Sequence, residues 1–400
     1  MVTAVLEYDS GDWKLTKDNF PDKSKLPPIC YIFLDKPSSP ESNNAVTEIL
    51  RSFNIPDFLN TRTCIDLNGY FGCRGKYKEE HDNEEHDKEK YNMEEHDKKK
   101  HSLESYSTWF RCLVKLLLEG SEITRIGKGK DYIWYEMGFF THWDHSGHCR
   151  VLCIDTPENL PSDLQTALKG SPFKRSDPFA MHIPLLDQIV RLYDHSVWRV
   201  RHPVRDIEKS RGKTTPDFSN MHEISRHAIH VSEVLSVTIE TLQKMEEQQK
   251  AIHKDLSPLL KKTDRKQAQQ YMSFQVQMVK SLSLRSNSNL ERLKGEVALA
   301  YNVIAQKDSG VMRALGILTM TFLPATFITS FFSTSFFELS DNGWKASEKI
   351  WVYWVVTIPS TLLVLLIWRR WSRVSGLNPF TSESRNKRHS EKSKEVSTVV

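Results

Sequence analysis

Residues 305–338 read AQKDSGVMRALGILTMTFLPATFITSFFSTSFFE, and positions 314–337 within this stretch are 24 consecutive residues without one ionisable side chain. A helix needs about 20 apolar residues to cross a hydrocarbon core of roughly 30 Å. Residues 350–368 supply a second run of 19, twelve residues further on. The pair reads as a transmembrane hairpin. Arg313 precedes the first run and Arg369, Arg370 and Arg373 follow the second, while the connecting ELSDNGWKASEK holds three acids and two lysines. The positive-inside bias therefore puts both termini in the cytosol. Trp344, Trp351, Tyr353, Trp354, Trp368 and Trp371 fall near the ends of the second run, where interfacial aromatics belong.

The two runs differ in chemistry. The first carries Thr319, Thr321, Thr326, Thr329, Ser330, Ser333, Thr334 and Ser335, whereas the second is mostly Val, Leu, Ile and Trp around Pro359-Ser360-Thr361. On a helix, Met312, Leu315, Thr319, Leu323, Thr326, Ser330 and Ser333 share one stripe by steps of three and four. Such a stripe either lines water or packs helices through small hydroxyl side chains. Two helices per chain cannot enclose a pore, so conduction requires an oligomer. Upstream, a helix starts near Thr263, and Leu290, Leu293, Val297, Ala300 and Ile304 repeat at coiled-coil spacing. Continued to Phe337, this helix would be a stalk of roughly 110 Å.

Before the stalk, the pattern 218–256 is helical and ends at Ser257-Pro258. The apolar segments 27–35, 63–71, 109–118, 132–143 and 150–155 read as strands with helical connections, 109–118 as a strand or a short helix. A helical stretch is expected over 184–198. The fold class is an α/β cytosolic domain, then long stalk helices and two transmembrane helices. The divisions are 1–217 for the α/β domain, 218–313 for the stalk region, 314–368 for the hairpin and 369–400 for a basic disordered tail. Within the first, 76–101 repeats EEHD three times among seven Lys, ten acids and four His, a segment too charged to bury and expected to be a disordered insertion.

A net charge of +4 resolves into a tail with eight Lys/Arg against three acids and a remainder with 47 against 48, so no nucleic-acid partner is expected. The basic tail suits the anionic cytosolic leaflet. Six cysteines without framework spacing read as reduced thiols. The acids Glu7, Asp9, Asp12 and Asp18 fit neither an export signal nor a mitochondrial transit peptide, which favours the plasma membrane over the mitochondrion.

The stretch 305–338 with its short loop and second span resembles the CorA and ZntB type of divalent-cation transporter, and within it the CorA-like membrane proteins of filamentous fungi. Phe322-Leu323-Pro324-Ala325-Thr326-Phe327 matches the family's Phe-Leu-Pro-x-Thr-Phe stretch. The family's Tyr-Gly-Met-Asn-Phe signature would fall on Phe332, Ser333, Thr334, Ser335 and Phe336, so the Gly-Met-Asn triplet is absent. The resemblance implies a homopentameric CorA-like funnel with a passive axial pore for Mg²⁺ or a related ion such as zinc. Its inner constriction would be at Met312, Leu315 and Leu323, a hydroxyl ring at Thr326, and a ring of Ser335 at the mouth. The rival reading is a non-conducting membrane-anchored sensor or interaction protein that kept the scaffold, and Ser333-Thr334-Ser335 favours it.

Other sites are weaker. THWDHSGHCRVLC gathers His142, His145, His148 and Cys149, ligand types that suit zinc, but without finger spacing, and Asp-His-Ser-Gly reads as a turn between strands. His227 and His230 share a helical face and are expected to be ordinary hydrogen-bonded packing residues. Gly120 to Lys130 lacks the spacing of a phosphate-binding loop, and no GxSxG or HExxH occurs, so neither enzyme activity nor a bound cofactor is expected; Mg²⁺ or another divalent ion enters as cargo.

Overall fold

The computed structural model describes residues 2–17, 26–35, 53, 56–60, 62–78, 102–125, 130–170, 173–256, 259–333, 337–340 and 343–374. The chain divides into two compact units, Met1–Ala298 and Leu299–Val400.

The first unit is built on a sheet. Strands β1 (Val2–Asp9) and β2 (Asp12–Lys17) form a hairpin whose turn is taken by Ser10 and Gly11, both at positive φ. After β3 (Ile29–Leu34) come a short helix α1 (Arg62–Asp66), β4 (Gly69–Lys78), β5 (Ser102–Leu117), a short α2 (Ser121–Arg125), β6 (Tyr132–Asp144) and β7 (Cys149–Ile154). The strand order is β2-β1-β3-β7-β6-β5-β4. Only β3 and β7 pair in parallel among these strands. Parallel strands covered on both faces read as unbroken apolar runs. β3 is such a run: Ile29, Tyr31 and Phe33 enter the main core, while Cys30, Ile32 and Leu34 join Phe53, Phe140 and Leu152 on the other face.

Helices α3 (Leu160–Leu168), α4 (His182–Ser210), α5 (Phe218–Asp255) and the first part of α6 (Lys262–Phe332) supply the rest of the main core. Asp217 caps α5 by accepting from the Asn220 amide at 3.1 Å, occupying one of the donors a helix start leaves open. α4 is tied to β5 by polar contacts: Tyr193 Oη donates to the Leu113 carbonyl at 2.9 Å and Ser196 Oγ to the Lys115 carbonyl at 2.6 Å. On α6, Leu290, Leu293 and Val297 pack on this core. At the sheet edge, Gly72 lies opposite Trp109, and a Cβ there would sit 2.2 Å from the indole nitrogen.

In the second unit, α6 ends at Phe332, followed by a hairpin of β8 (Phe337–Ser340) and β9 (Gly343–Ala346) and by α7 (Ile350–Val374).

Several expectations are corrected. Segment 63–71 is not a strand throughout: Arg62–Asp66 is helical, and of its apolar side chains Ile65 and Leu67 are exposed, so the run does not mark a buried face. The charged insertion does not begin at 76, because Lys76, Tyr77 and Lys78 pair with Ser105, Leu103 and Ser102. An edge strand needs ladder hydrogen bonds rather than apolar burial, and exposed lysines are typical there; positions 79–101 and the tail beyond 374 lie outside the described residues. The helical stretch 184–198 extends over the whole of α4, with Pro203 inside it. The first apolar run is not helical to 337: Phe, Ser and Thr are mediocre helix formers, and Phe337 already belongs to β8. The hairpin β1–β2, helix α3 and the hairpin β8–β9 were not expected.

Candidate ion pathway and metal-ligating clusters

Each residue advances about 100° around a helix. Along the apolar run of α6 from position 314, the half-buried positions are Ile317, Thr321, Pro324, Ala325 and Ile328, a single stripe. On α7 the covered positions include Tyr353, Thr357, Thr361 and Val364. Thr329 Oγ1 and Tyr353 Oη are 2.8 Å apart, so these two faces meet. Met312, Leu315, Thr319, Leu323, Thr326, Ser330 and Ser333 then lie within about 45° of the opposite direction. All seven are exposed in the single chain, Met312 at 71% and Leu323 at 64%.

Three of the four hydroxyls of that stripe, those of Thr319, Thr326 and Ser333, have their protons engaged. Thr319 Oγ1 donates to the Leu315 carbonyl at 2.9 Å, Thr326 Oγ1 to the carbonyl of Phe322 at 2.9 Å or of Leu323 at 3.0 Å, and Ser333 Oγ to Ser330 at 3.1 Å. Their oxygens consequently present lone pairs outward, as acceptors. Phe332 closes the helix and Ser333 follows it; Thr334, Ser335 and Phe336 lie outside the described residues.

The His/Cys segment does not come together as one ligand set. His142 Nδ1 is 3.0 Å from Ser107 Oγ, on the face of Phe53, whereas Cys149 is wholly buried in the main core on the other side. Burial pushes the Cys149 thiol far up, which leaves it without thiolate character at neutral pH. The turn closes on itself instead. His148 Nδ1 lies 2.8 Å from Asp144 Oδ2, and Ser146 Oγ donates to Asp144 Oδ1 at 2.5 Å. Partial burial works against ionisation of Asp144, but the Ser146 and His148 hydrogen bonds outweigh it and hold its carboxyl below the usual range. His145 is tied through its backbone, its amide donating to the Glu104 carbonyl at 3.0 Å.

A different cluster forms where β6 starts beside α5. Glu223 and His227, one helical turn apart, present their side chains together, and Asp131 arrives from the residue before β6. His227 Nε2 lies 3.4 Å from Glu223 Oε1 and 3.6 Å from Asp131 Oδ2. The imidazole is 1% exposed and neither ring nitrogen has a hydrogen bond. Its ring packs edge-on to Tyr132 at 5.3 Å. Burial, and then the nearby Lys115, lowers the His227 pKa. Lys115 is itself buried, 4.3 Å above the Tyr132 ring and 2.9 Å from His230 Nδ1, and burial followed by Arg226 lowers its pKa to about 8. His227 thus departs from the expected hydrogen-bonded packing, and His230 follows it. The four-residue spacing of Glu223 and His227 is the one sequence signal that could have paired them; nothing local to Asp131 announces that it meets them.

The fold and the spans define a class: a protein with an α/β domain of seven described strands, a long helix running out of it, and two helices long and apolar enough to cross a membrane. The apolar windows of those helices are only 0% and 6% buried within the chain, unlike a soluble core helix. Residues 151–370, more than half of the chain, match the family model described as CorA-like Mg²⁺ transporter protein, and the chain belongs to that family. It is accordingly a membrane protein, and the two helices fit a two-pass topology. Among curated proteins it is 26% identical over 282 residues to "Notoamide biosynthesis cluster protein M'" of Aspergillus versicolor, a match spanning 60% of each chain and hence less than two thirds of that relative's length. Among solved structures it resembles the CorA magnesium transporter of Methanocaldococcus jannaschii, with a TM-score of 0.52, 12% identity and coverage of 92% of this chain and 98% of that one. The full-length CmaX protein aligns at a TM-score of 0.55, 13% identity and coverage of 92% and 97%. These two likenesses establish the fold.

Proposed function

We propose that the chain is an oligomeric, passive pathway for divalent metal cations, Mg²⁺ or a related ion, lined by the outward stripe of α6. The observation that supports this reading is the coincidence, on the face of α6 opposite α7, of an apolar constriction (Met312, Leu315, Leu323) with hydroxyls (Thr319, Thr326, Ser330, Ser333) and no fixed charge. Mg²⁺ gives up its water reluctantly, so a lining of hydroxyl acceptors suits passage of the hydrated ion, while the apolar ring gates by dewetting. A pore needs several copies, and we infer a homopentamer with cytosolic termini in the plasma membrane, the domain divisions 1–217, 218–313, 314–368 and 369–400 being assigned to α/β domain, stalk, spans and tail. The absence of Gly-Met-Asn at 333–335 supports a second reading, a non-conducting sensor or interaction protein on the same scaffold.

Reconstitution of the purified chain in liposomes separates the two. Influx of Mg²⁺, Zn²⁺, Co²⁺ or Ni²⁺ that Thr326→Phe abolishes is the expected result. No flux of any of these ions above that variant, or crosslinking that finds only monomers in the bilayer, refutes the pore.

A further inference from the structure

The Asp131, Glu223 and His227 cluster is the feature of the first unit that the ion pathway leaves unexplained. We propose that it is a binding site for a transition-metal ion of the zinc class, held within one chain by His227 Nε2 and the carboxylates of Glu223 and Asp131, with the remaining coordination left to water.

Geometry carries the argument. Ligands about 2.0–2.2 Å from a tetrahedral ion stand roughly 3.3–3.6 Å from one another. The observed separations from His227 Nε2 are 3.4 Å and 3.6 Å, and the ligand atoms of all three residues lie within 4.8 Å of one another. Those separations are too long for hydrogen bonds. A second, independent observation is the condition of the imidazole: it is 1% exposed, aimed at both carboxylates, and unpartnered at both nitrogens. A buried polar group left unpaired is destabilising, and an ion between the three groups would satisfy Nε2 while the two carboxylates neutralise its charge. The donor set also selects the ion. Mg²⁺ favours oxygen ligands alone, whereas an imidazole with two carboxylates suits Zn²⁺, Co²⁺ or Ni²⁺. Entry is open on one side, since the Asp131 side chain is 51% exposed.

Two features set the affinity. Arg226 forms an ion pair with Glu223 through the same oxygen that faces His227 and competes for it. Its side chain is 54% exposed, and an exposed pair of this kind is weak, so an ion can displace it. His227 Nδ1 lacks the usual hydrogen-bonded support, whose absence weakens metal sites by about 10–100-fold. The site is therefore moderate in affinity, and removing Arg226 should tighten it.

The test uses the full chain purified in detergent and stripped with a chelator, titrated with Co²⁺ by visible absorption and with Zn²⁺ in competition. Histidines elsewhere contribute a background common to all variants, so the readout is the difference from the unaltered chain. One Co²⁺ equivalent should weaken by about tenfold or more in both His227→Gln and Asp131→Asn, tighten in Arg226→Gln, and survive millimolar Mg²⁺. Asp131 is half exposed, so its variant keeps the fold and the test does not hang on His227→Gln alone. Unchanged isotherms in either ligand variant, weakening in Arg226→Gln, or displacement by Mg²⁺ overturns the site. Because binding rather than flux is read, the outcome is separate from that of the transport experiment.

Discussion

His182 makes the first unit acid-sensitive, and the size of the effect follows from its surroundings. It is the first residue of α4, fully buried, with Nε2 2.7 Å from Thr108 Oγ1, its ring against Phe110 and Phe179, and Nδ1 without a partner. Burial lowers its pKa from 6.5 to about 4, against a small opposing pull from Asp177. Between pH 6.5 and 4 the unfolded chain therefore binds this proton and the folded chain does not, so stability is fully present above the window and falls as the pH drops through it. A shift of this size corresponds to about 3 kcal/mol in total, of which roughly 2 kcal/mol is lost by pH 5. His182→Gln keeps a hydrogen-bonding partner for Thr108 and removes the titration. Denaturant unfolding of both proteins in detergent, followed by tryptophan fluorescence from pH 7.5 to 5, should show the variant less stable at neutral pH and the gap closing by about 2 kcal/mol at pH 5. Titrating groups that do not interact with His182 cancel in the difference. A gap that stays constant across this range refutes the assignment of a buried neutral imidazole.

Two further outcomes test the packing of each unit. Gly72→Ala should destabilise the chain by about 1–3 kcal/mol, because a methyl 2.2 Å from the Trp109 indole nitrogen displaces that ring from the edge of the sheet, and thermal unfolding reads this directly. Tyr353→Phe removes the hydrogen bond to Thr329 between the two spans; by analogy with such bonds in bilayers the loss is about 0.6 kcal/mol and at most about 2, measured by unfolding in detergent or bicelles.

How much was legible in the sequence depended on whether the signal was local. The central strands were readable because ICYIFL and RVLCID are buried on both faces and so carry continuous apolar runs. The hairpin β1–β2 was not, since β2 buries Trp13 among exposed neighbours and its identity comes from pairing with β1. The end of β4 hid within a charged stretch because an edge strand is defined by its ladder to β5, a relation between positions 76–78 and 102–105. The stripe proposed to line a pore was countable from steps of three and four, but its relation to α7 was not, as that rests on which face of α6 is covered.

The sequence by itself determined the class of this protein: two spans and their polarity difference, which depend on composition along a continuous stretch and on the energetics of the bilayer. Only the tertiary structure decided which ligating side chains meet. It separated His142 from Cys149 across the sheet and brought Asp131 to Glu223 and His227. Ligand geometry is set by the crossing of β6 and α5, elements far apart in the chain, and no spacing rule within either one encodes it.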